Sequence, residues 1–284
     1  MTLPVMYSRL DYEAAAAVIR QYSALMPDVG LVLGSGLSRM ADEIVSATVI
    51  PYAKIPRCPQ STVPGHEGTL VIGHLEGVPV VAQRGRTHLY EGYTPEQVTF
   101  LIRVFALLGV KTLILTNAAG GVNPAFRPGD VMLVNDHLNF VGMAGNNPLR
   151  GSFADADEPV RFISTSHAYH ADLRRKAHEI AQEAGIALQE GVYVCVSGPN
   201  FESPAEIRFL RMIGGDAVGM STVHEVLVAC HAGMRVMAMS GITNQTIDQI
   251  DSTATVSHDE VLEAGGLLVP RMSAIVRGVL RSMA

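Results

Sequence analysis

The chain has 284 residues, 48% of them hydrophobic and 17% charged, which is enough to bury a full core in one α/β domain spanning 1–284. Lys plus Arg number 21 against 27 Asp plus Glu, a net charge of −6 that argues against nucleic acid, which needs a basic face. No run approaches the roughly 18 apolar residues of a membrane span, and Cys58, Cys195 and Cys230 offer neither a CxxC pair nor zinc spacing. The opening MTLPVMYSRLDYEAAAA lacks the basic and apolar segments of a secretion signal, so a reduced, cytoplasmic setting is expected.

In chain order, composition predicts a helix over 11–26, then a strand at Val29–Leu33 that stops at Gly34-Ser35-Gly36. A second strand is predicted over 78–82. Thr94-Pro95-Glu96-Gln97 then sets a hydroxyl cap, a helix-starting proline and a glutamine ahead of VTFLIRVFALLG, and Gly109 closes that helix. Strands are predicted over 111–116 and 131–134, followed by a long ordered loop over 142–165 rich in Gly, Asn, Pro and Asp. A helix over 166–184 stops at Gly185 and a strand follows over 192–196. Ser203-Pro204-Ala205-Glu206 repeats the capping signature before IRFLRMIGG. A strand over 216–220 leads to a helix capped by Thr222 with Glu225. After a strand over 235–240, the last helix starts at Ser257 with Glu260 and is expected to kink or break at Pro270. Uninterrupted Val, Leu, Ile and Met runs mean strands covered on both faces, hence an α/β fold with a parallel or mixed sheet flanked by helices.

Polar or glycine-rich clusters sit at five strand ends. In Gly34-Ser35-Gly36-Leu37, Arg39 takes the place of the third glycine of a dinucleotide fingerprint, so that reading is poor. The turn suits either a phosphate or an ordinary strand exit. Arg86, His88 and Tyr90 alternate in GRTHLYEGY and would share a face of extended chain, a set suited to an oxyanion beside a sugar, with Glu91 placed to pin Arg86. The small residues of Thr116-Asn117-Ala118-Ala119-Gly120-Gly121 allow close approach of a ligand to the backbone, or simply a tight turn. Phe201 suits the face of a heterocycle and Glu202 its ring N–H groups, although the pair alone reads rather as a core phenylalanine and a solvated surface carboxylate. Thr222 is explained by capping, which leaves Ser221 free; Asn244 ends a strand and His258 opens the last helix. Ten histidines show no HExxH-type spacing, so no metal site is expected.

Joint occurrence says more than any one cluster, because ligands of open α/β sheets gather outside the carboxyl ends of strands. GSGL, VPGHEG, GRTHLYEGY, TNAAGGVNP, DHLNF with NPLRG, GPNFESPAEIR, VGMSTV and ITN follow one another in an order and spacing that resemble the trimeric purine nucleoside phosphorylases specific for 6-oxopurine nucleosides. The resemblance implies a mixed sheet with a distorted barrel, a homotrimer, and reversible phosphorolysis of inosine and guanosine, ribo and deoxy, in purine salvage. The products would be the free base and α-ribose 1-phosphate; inorganic phosphate is the co-substrate, and no metal or organic cofactor is implied. It further implies a phosphate site of Ser35, His66, Arg86, His88, Ala118 and Ser221, with Tyr90, Met220 and His258 at the ribose. Phe201, Glu202, Val218 and Asn244 would hold the base, and Phe162 would reach a neighbouring subunit's site. His88, Glu202, Asn244 and His258 are the expected catalytic set. Three residues depart from the pattern: His224 where proline is usual, Gln245 after the key asparagine, and Pro270. Rival readings are a nucleoside hydrolase, which would need an Asp-rich calcium site that LVLGSGLSR lacks; a methylthioadenosine phosphorylase, which would carry aspartate at 244; and a non-catalytic nucleotide-binding module.

Overall fold

The structure, a computed structural model, describes residues 7–34, 38–63, 67–150, 162–255 and 258–284, with the backbone only for 258–263 and 265. Helix α1 (Arg9–Tyr22) leads into β1 (Val29–Leu33), whose five residues are all buried. After a short 3₁₀ turn come β2 (Val45–Pro51), β3 (Thr69–Leu75) and β4 (Val78–Arg84), then α2 (Pro95–Val98) and α3 (Phe100–Leu108). Strands β5 (Thr112–Gly121) and β6 (Val131–Asn139) are followed by the single turn α4 (Phe140–Met143) and by α5 (Ala171–Glu183). The chain continues through β7 (Leu188–Cys195), α6 (Pro204–Met212), β8 (Ala217–Gly219), α7 (Val223–His231), β9 (Arg235–Gln245) and α8 (His258–Arg281).

The strands form one mixed sheet in the order β2-β3-β4-β1-β5-β8-β7-β6-β9, and β9 pairs back on β5. That return closes β5-β8-β7-β6-β9 into a five-stranded barrel and leaves β2-β3-β4-β1 as an open wing. Because β1 runs parallel to β4 and β5, and β5 parallel to β9, the carboxyl ends of β4, β1, β5 and β9 share one edge. Alternate strand residues serve two cores: Val32 and Leu115 face the helices α1, α3 and α7, while Leu31, Leu33 and Ile114 face α5 and α8.

Both predicted Ser/Thr-Pro capping boxes form. Thr94 Oγ1 accepts from Gln97 N at 3.3 Å, and Ser203 Oγ from Glu206 N at 3.3 Å. The expected break at Pro270 does not occur, since α8 runs through it. Proline inside a helix costs about 3 kcal/mol, but here the ring is exposed while Leu268, Met272, Ile275, Val276 and Val279 pack the other face into the core. The helix predicted after Thr94 divides at Thr99, whose hydroxyl donates to Pro95 O at 2.8 Å. Strands β2 and β3 lie where no element is predicted.

Candidate active site

The shared edge carries a cavity of about 200 Å³. Its inner wall starts from the loop after β4, where the buried Tyr52 hydroxyl donates to Gly85 O at 2.6 Å and fixes the approach to Arg86. Arg86 is 1% exposed, and its Nη1 donates to Ser221 Oγ at 3.1 Å and, less closely, to Thr222 Oγ1 at 3.4 Å. Its Nε lies 3.3 Å from Glu225 Oε1. From the end of β5, Asn117 Nδ2 donates to the same Thr222 Oγ1 at 2.9 Å. Only glycine fits at position 34: a Cβ there would stand 2.7 Å from Thr116 O, 3.0 Å from Asn117 Cα and 3.3 Å from Arg86 Nη1. Gly219 is under the same constraint, because a Cβ would meet the Tyr193 hydroxyl at 2.4 Å.

Two local expectations are corrected here. Thr222 does not cap α7. Its φ of 73° and ψ of −53°, with Val223 N donating to Ser221 O at 2.8 Å, form a tight three-residue turn that directs Oγ1 to Arg86 and Asn117. Glu91 does not pin Arg86; Glu225 does. Glu91 instead takes His88, accepting from its backbone N at 2.7 Å and meeting its Nδ1 at 3.1 Å, and it accepts from Thr62 N and Oγ1 at 2.6 and 2.7 Å. Burial alone would raise the Glu91 carboxyl, but these hydrogen bonds outweigh it and hold the group down to about 2. The strand alternation proposed for residues 86, 88 and 90 does not apply either, since β4 ends at Arg84 and Leu89–Glu91 is a 3₁₀ turn. The turn still delivers all three to the cavity, with the His88 and Tyr90 rings stacked at 4.6 Å.

The outer wall is more open. Phe201 is 45% exposed and Glu202 half-buried, and burial raises the Glu202 carboxyl. Asn244 at the end of β9 is half-buried, its Oδ1 accepting from Thr243 Oγ1 at 3.0 Å. Val218 and Met220 complete the floor.

Of the residues singled out from the sequence, Arg86, His88, Tyr90, Ala118, Phe201, Glu202, Val218, Met220, Ser221 and Asn244 therefore line one cavity. Ser35 and His66 lie outside the described residues, as does the side chain of His258, although its backbone opens α8. Phe162 is 88% exposed and not on this cavity. Asn117, Ile207, Thr243 and Thr246 line it without having been singled out. The small-residue end of β5 and the polar end of β9 are the only signals for Asn117, Thr243 and Thr246, whereas Ile207 reads only as an apolar residue of α6.

Residues 28–281 match the Phosphorylase superfamily. The chain is 53% identical to purine nucleoside phosphorylase 1 of Bacillus subtilis, over 88% of this chain and 90% of that relative. It is 47% identical to the Bos taurus purine nucleoside phosphorylase, over 98% and 96%. The crystal structure of Schistosoma mansoni purine nucleoside phosphorylase in complex with adenosine superposes with a TM-score of 0.94 at 38% identity, over 99% of both chains. The chain belongs to the purine nucleoside phosphorylase family.

Within that family's frame, two of the departures acquire a place. His224 is fully buried on the first turn of α7, and burial, with Arg86 and His88 nearby, lowers it to about 3, so the imidazole is uncharged. Gln245 turns away from the cavity, its Nε2 donating to Pro124 O and Phe126 O at 3.4 and 3.3 Å.

Proposed function

We infer that the chain catalyses the reversible phosphorolysis of purine nucleosides, inosine and guanosine above all, giving the free base and α-ribose 1-phosphate. The observation that carries this reading is one cavity with two unlike ends. A buried guanidinium and hydroxyl cluster at Arg86 and Ser221 suits phosphate, while an apolar ring and a carboxylate at Phe201 and Glu202 suit a heterocycle with N–H donors. Ser35, His66, His88 and the Ala118 N–H complete the phosphate set. Tyr90, Met220 and His258 take the ribose, and Val218 packs on the base.

As the purine leaves, C1′ of the ribose becomes cationic and negative charge collects on the base. A phosphate dianion held by Arg86 and Ser221 stabilises that cation electrostatically and then forms the new C1′–O bond. Glu202 accepts from N1–H, and Asn244 donates to N7 or O6 as the base becomes anionic. No side-chain nucleophile enters, and the chemistry requires no metal or organic cofactor.

We also place the chain in a homotrimer, with Phe162 covering a neighbour's cavity. Light scattering should give three chains of 30.3 kDa, about 91 kDa; a fully active single chain would refute this. No helix among the described residues is long and apolar enough to cross a membrane, and we keep the cytoplasmic assignment.

The deciding experiment follows hypoxanthine release from inosine with and without phosphate. Release that needs phosphate supports the reading; equal release without it means a hydrolase, and none at all means a binding module. Methylthioadenosine in place of inosine tests the remaining rival.

A further inference from the structure

Behind Arg86 and Ser221 stand two side chains to which no role has been given, Asn117 and Thr222, 1% and 0% exposed. Hydroxyl protons in this cluster can be assigned by counting donors. Arg86 can only donate, and it donates to both Ser221 Oγ and Thr222 Oγ1. Asn117 Nδ2 also donates to Thr222 Oγ1. With two donors converging on it, the Thr222 hydroxyl has one proton to give, and Ser221 Oγ lies 3.1 Å away. Ser221 Oγ then accepts from Arg86 and from Thr222, so its own proton is turned away from both, towards the cavity that Ser221 lines and the Tyr193 hydroxyl, which accepts from Ser221 N at 3.4 Å. With the Asn117 amide reversed, Thr222 would donate to Asn117 instead, and nothing would stop Ser221 from donating back to Thr222. The direction of the Asn117 amide therefore decides what Ser221 presents.

The backbone is bent to serve this arrangement. A β-branched residue at φ 73° is a genuine outlier, and such outliers persist only where their surroundings over-determine them. The turn denies α7 a side-chain cap and places the Thr222 hydroxyl between Arg86 and Asn117.

We propose that Asn117 and Thr222 are positioning residues, forming a one-way hydrogen-bond relay from Asn117 through Thr222 to Ser221 that commits the Ser221 proton to an oxyanion in the cavity. The proposal rests on the phosphorolysis reading above. Preorganised donors of this kind need no rearrangement when the anion arrives.

The test measures phosphate KM at saturating inosine, and guanosine Kd by calorimetry without phosphate, in Thr222→Val, Thr222→Ser, Asn117→Asp and Asn117→Leu. Thr222→Val keeps the branched shape and removes the hydroxyl; its phosphate KM should rise roughly tenfold or more, with guanosine Kd within about twofold of wild type. Thr222→Ser should restore phosphate KM to within about threefold of wild type. The carboxylate of Asn117→Asp can only accept, so it reverses the relay and repels the anion, and phosphate KM should rise further than in Asn117→Leu. A folded Thr222→Val with phosphate KM within about twofold of wild type overturns the relay, and so does a Thr222→Ser as impaired as Thr222→Val. Should Thr222→Val fail to melt cooperatively, Asn117→Leu decides, because it removes the first donor without touching the turn; an unchanged phosphate KM there also refutes the proposal. Failure of the underlying reading looks different, since wild-type protein would then release no base in a phosphate-dependent way.

Discussion

The two ends of the cavity are built on opposite principles. At the inner end the polar side chains already meet one another: Arg86 meets Ser221, Thr222 and Glu225, Asn117 meets Thr222, and His88 meets Glu91. These side chains are buried, and four long-range contacts and a strained turn hold them. At the outer end Phe201 is largely open, and burial, helped by the neighbouring Glu206 carboxylate, raises Glu202. The inner end is finished before any ligand arrives, whereas the outer end is finished by the ligand. Stabilisation of developing charge favours the first arrangement. Selection among bases favours the second, where a wrong base leaves a carboxylate unpaired.

The largest effect should appear at the outer end. Facing adenine, Glu202 meets the lone pair of N1 instead of an N–H, and sites built to hydrogen-bond a missing group reject the analogue by about 10⁴–10⁵-fold. Wild-type kcat/KM for adenosine should therefore fall about four orders of magnitude below that for inosine. Asn244→Asp, which can accept from a 6-amino group, should move the preference towards adenosine, and Glu202→Ala should lose inosine without gaining adenosine. Wild-type cleavage of adenosine within about tenfold of inosine would dissolve the contrast between the two ends. Because burial raises Glu202, the acid limb of the inosine profile should begin above the ordinary carboxylate range and vanish in Glu202→Gln.

Next in size is Arg86→Ala. Hydrogen bonds to a charged group contribute about 1.5–3 kcal/mol each, so kcat/KM for phosphate should drop by about two to three orders of magnitude while guanosine Kd stays close to wild type. The same change strands Glu225 in the interior, a loss of about 3–5 kcal/mol in comparable buried pairs. Thermal melting must therefore accompany the kinetics. A phosphate KM within twofold of wild type would remove Arg86 from the inner end.

Much of this layout is legible in the sequence, and the gaps have physical causes. Strand β1 is predicted residue for residue because all of Val29–Leu33 is buried. Strand β2 escapes because it is a mostly exposed edge, and β3 because Gly73 and His74 interrupt its apolar run; its hairpin turns on Glu76-Gly77, both at positive φ, a less familiar pair than Asn-Gly. Strands β5 and β9 outrun their apolar segments into Asn117–Gly121 and Thr243–Gln245, where the polar lining residues sit. Motif order could place Arg86, Glu202 and Asn244 at one site. It could not place Thr222 or Glu225, because capping is a local rule and their real partners, Arg86 and Asn117, lie more than a hundred positions away.

The anchoring of the inner end should also show in acid. The Glu91 carboxyl sits at about 2 against an ordinary value of 4.5, so its hydrogen bonds stabilise the fold above pH 4.5 and are lost as pH falls from there towards 2. A displacement of that size is worth about 3 kcal/mol at most. Urea melts of wild type and Glu91→Gln should differ most near neutrality and converge below about pH 3. A gap that stays constant with pH would mean that Glu91 is not held ionised by His88 and Thr62.

The smallest predicted effect tests whether the two ends are independent. Phe201 offers a flat face to the purine, and aromatic stacking contributes about 0.5–1.5 kcal/mol beyond the area it buries. Phe201→Leu keeps most of the apolar area and gives up only the face, so guanosine Kd should weaken by roughly two- to tenfold. If the inner end is complete without the nucleoside, phosphate KM at saturating guanosine should not follow. A parallel rise in phosphate KM would mean that seating the base helps to set Arg86 and Ser221, and that neither end is finished until both ligands are bound.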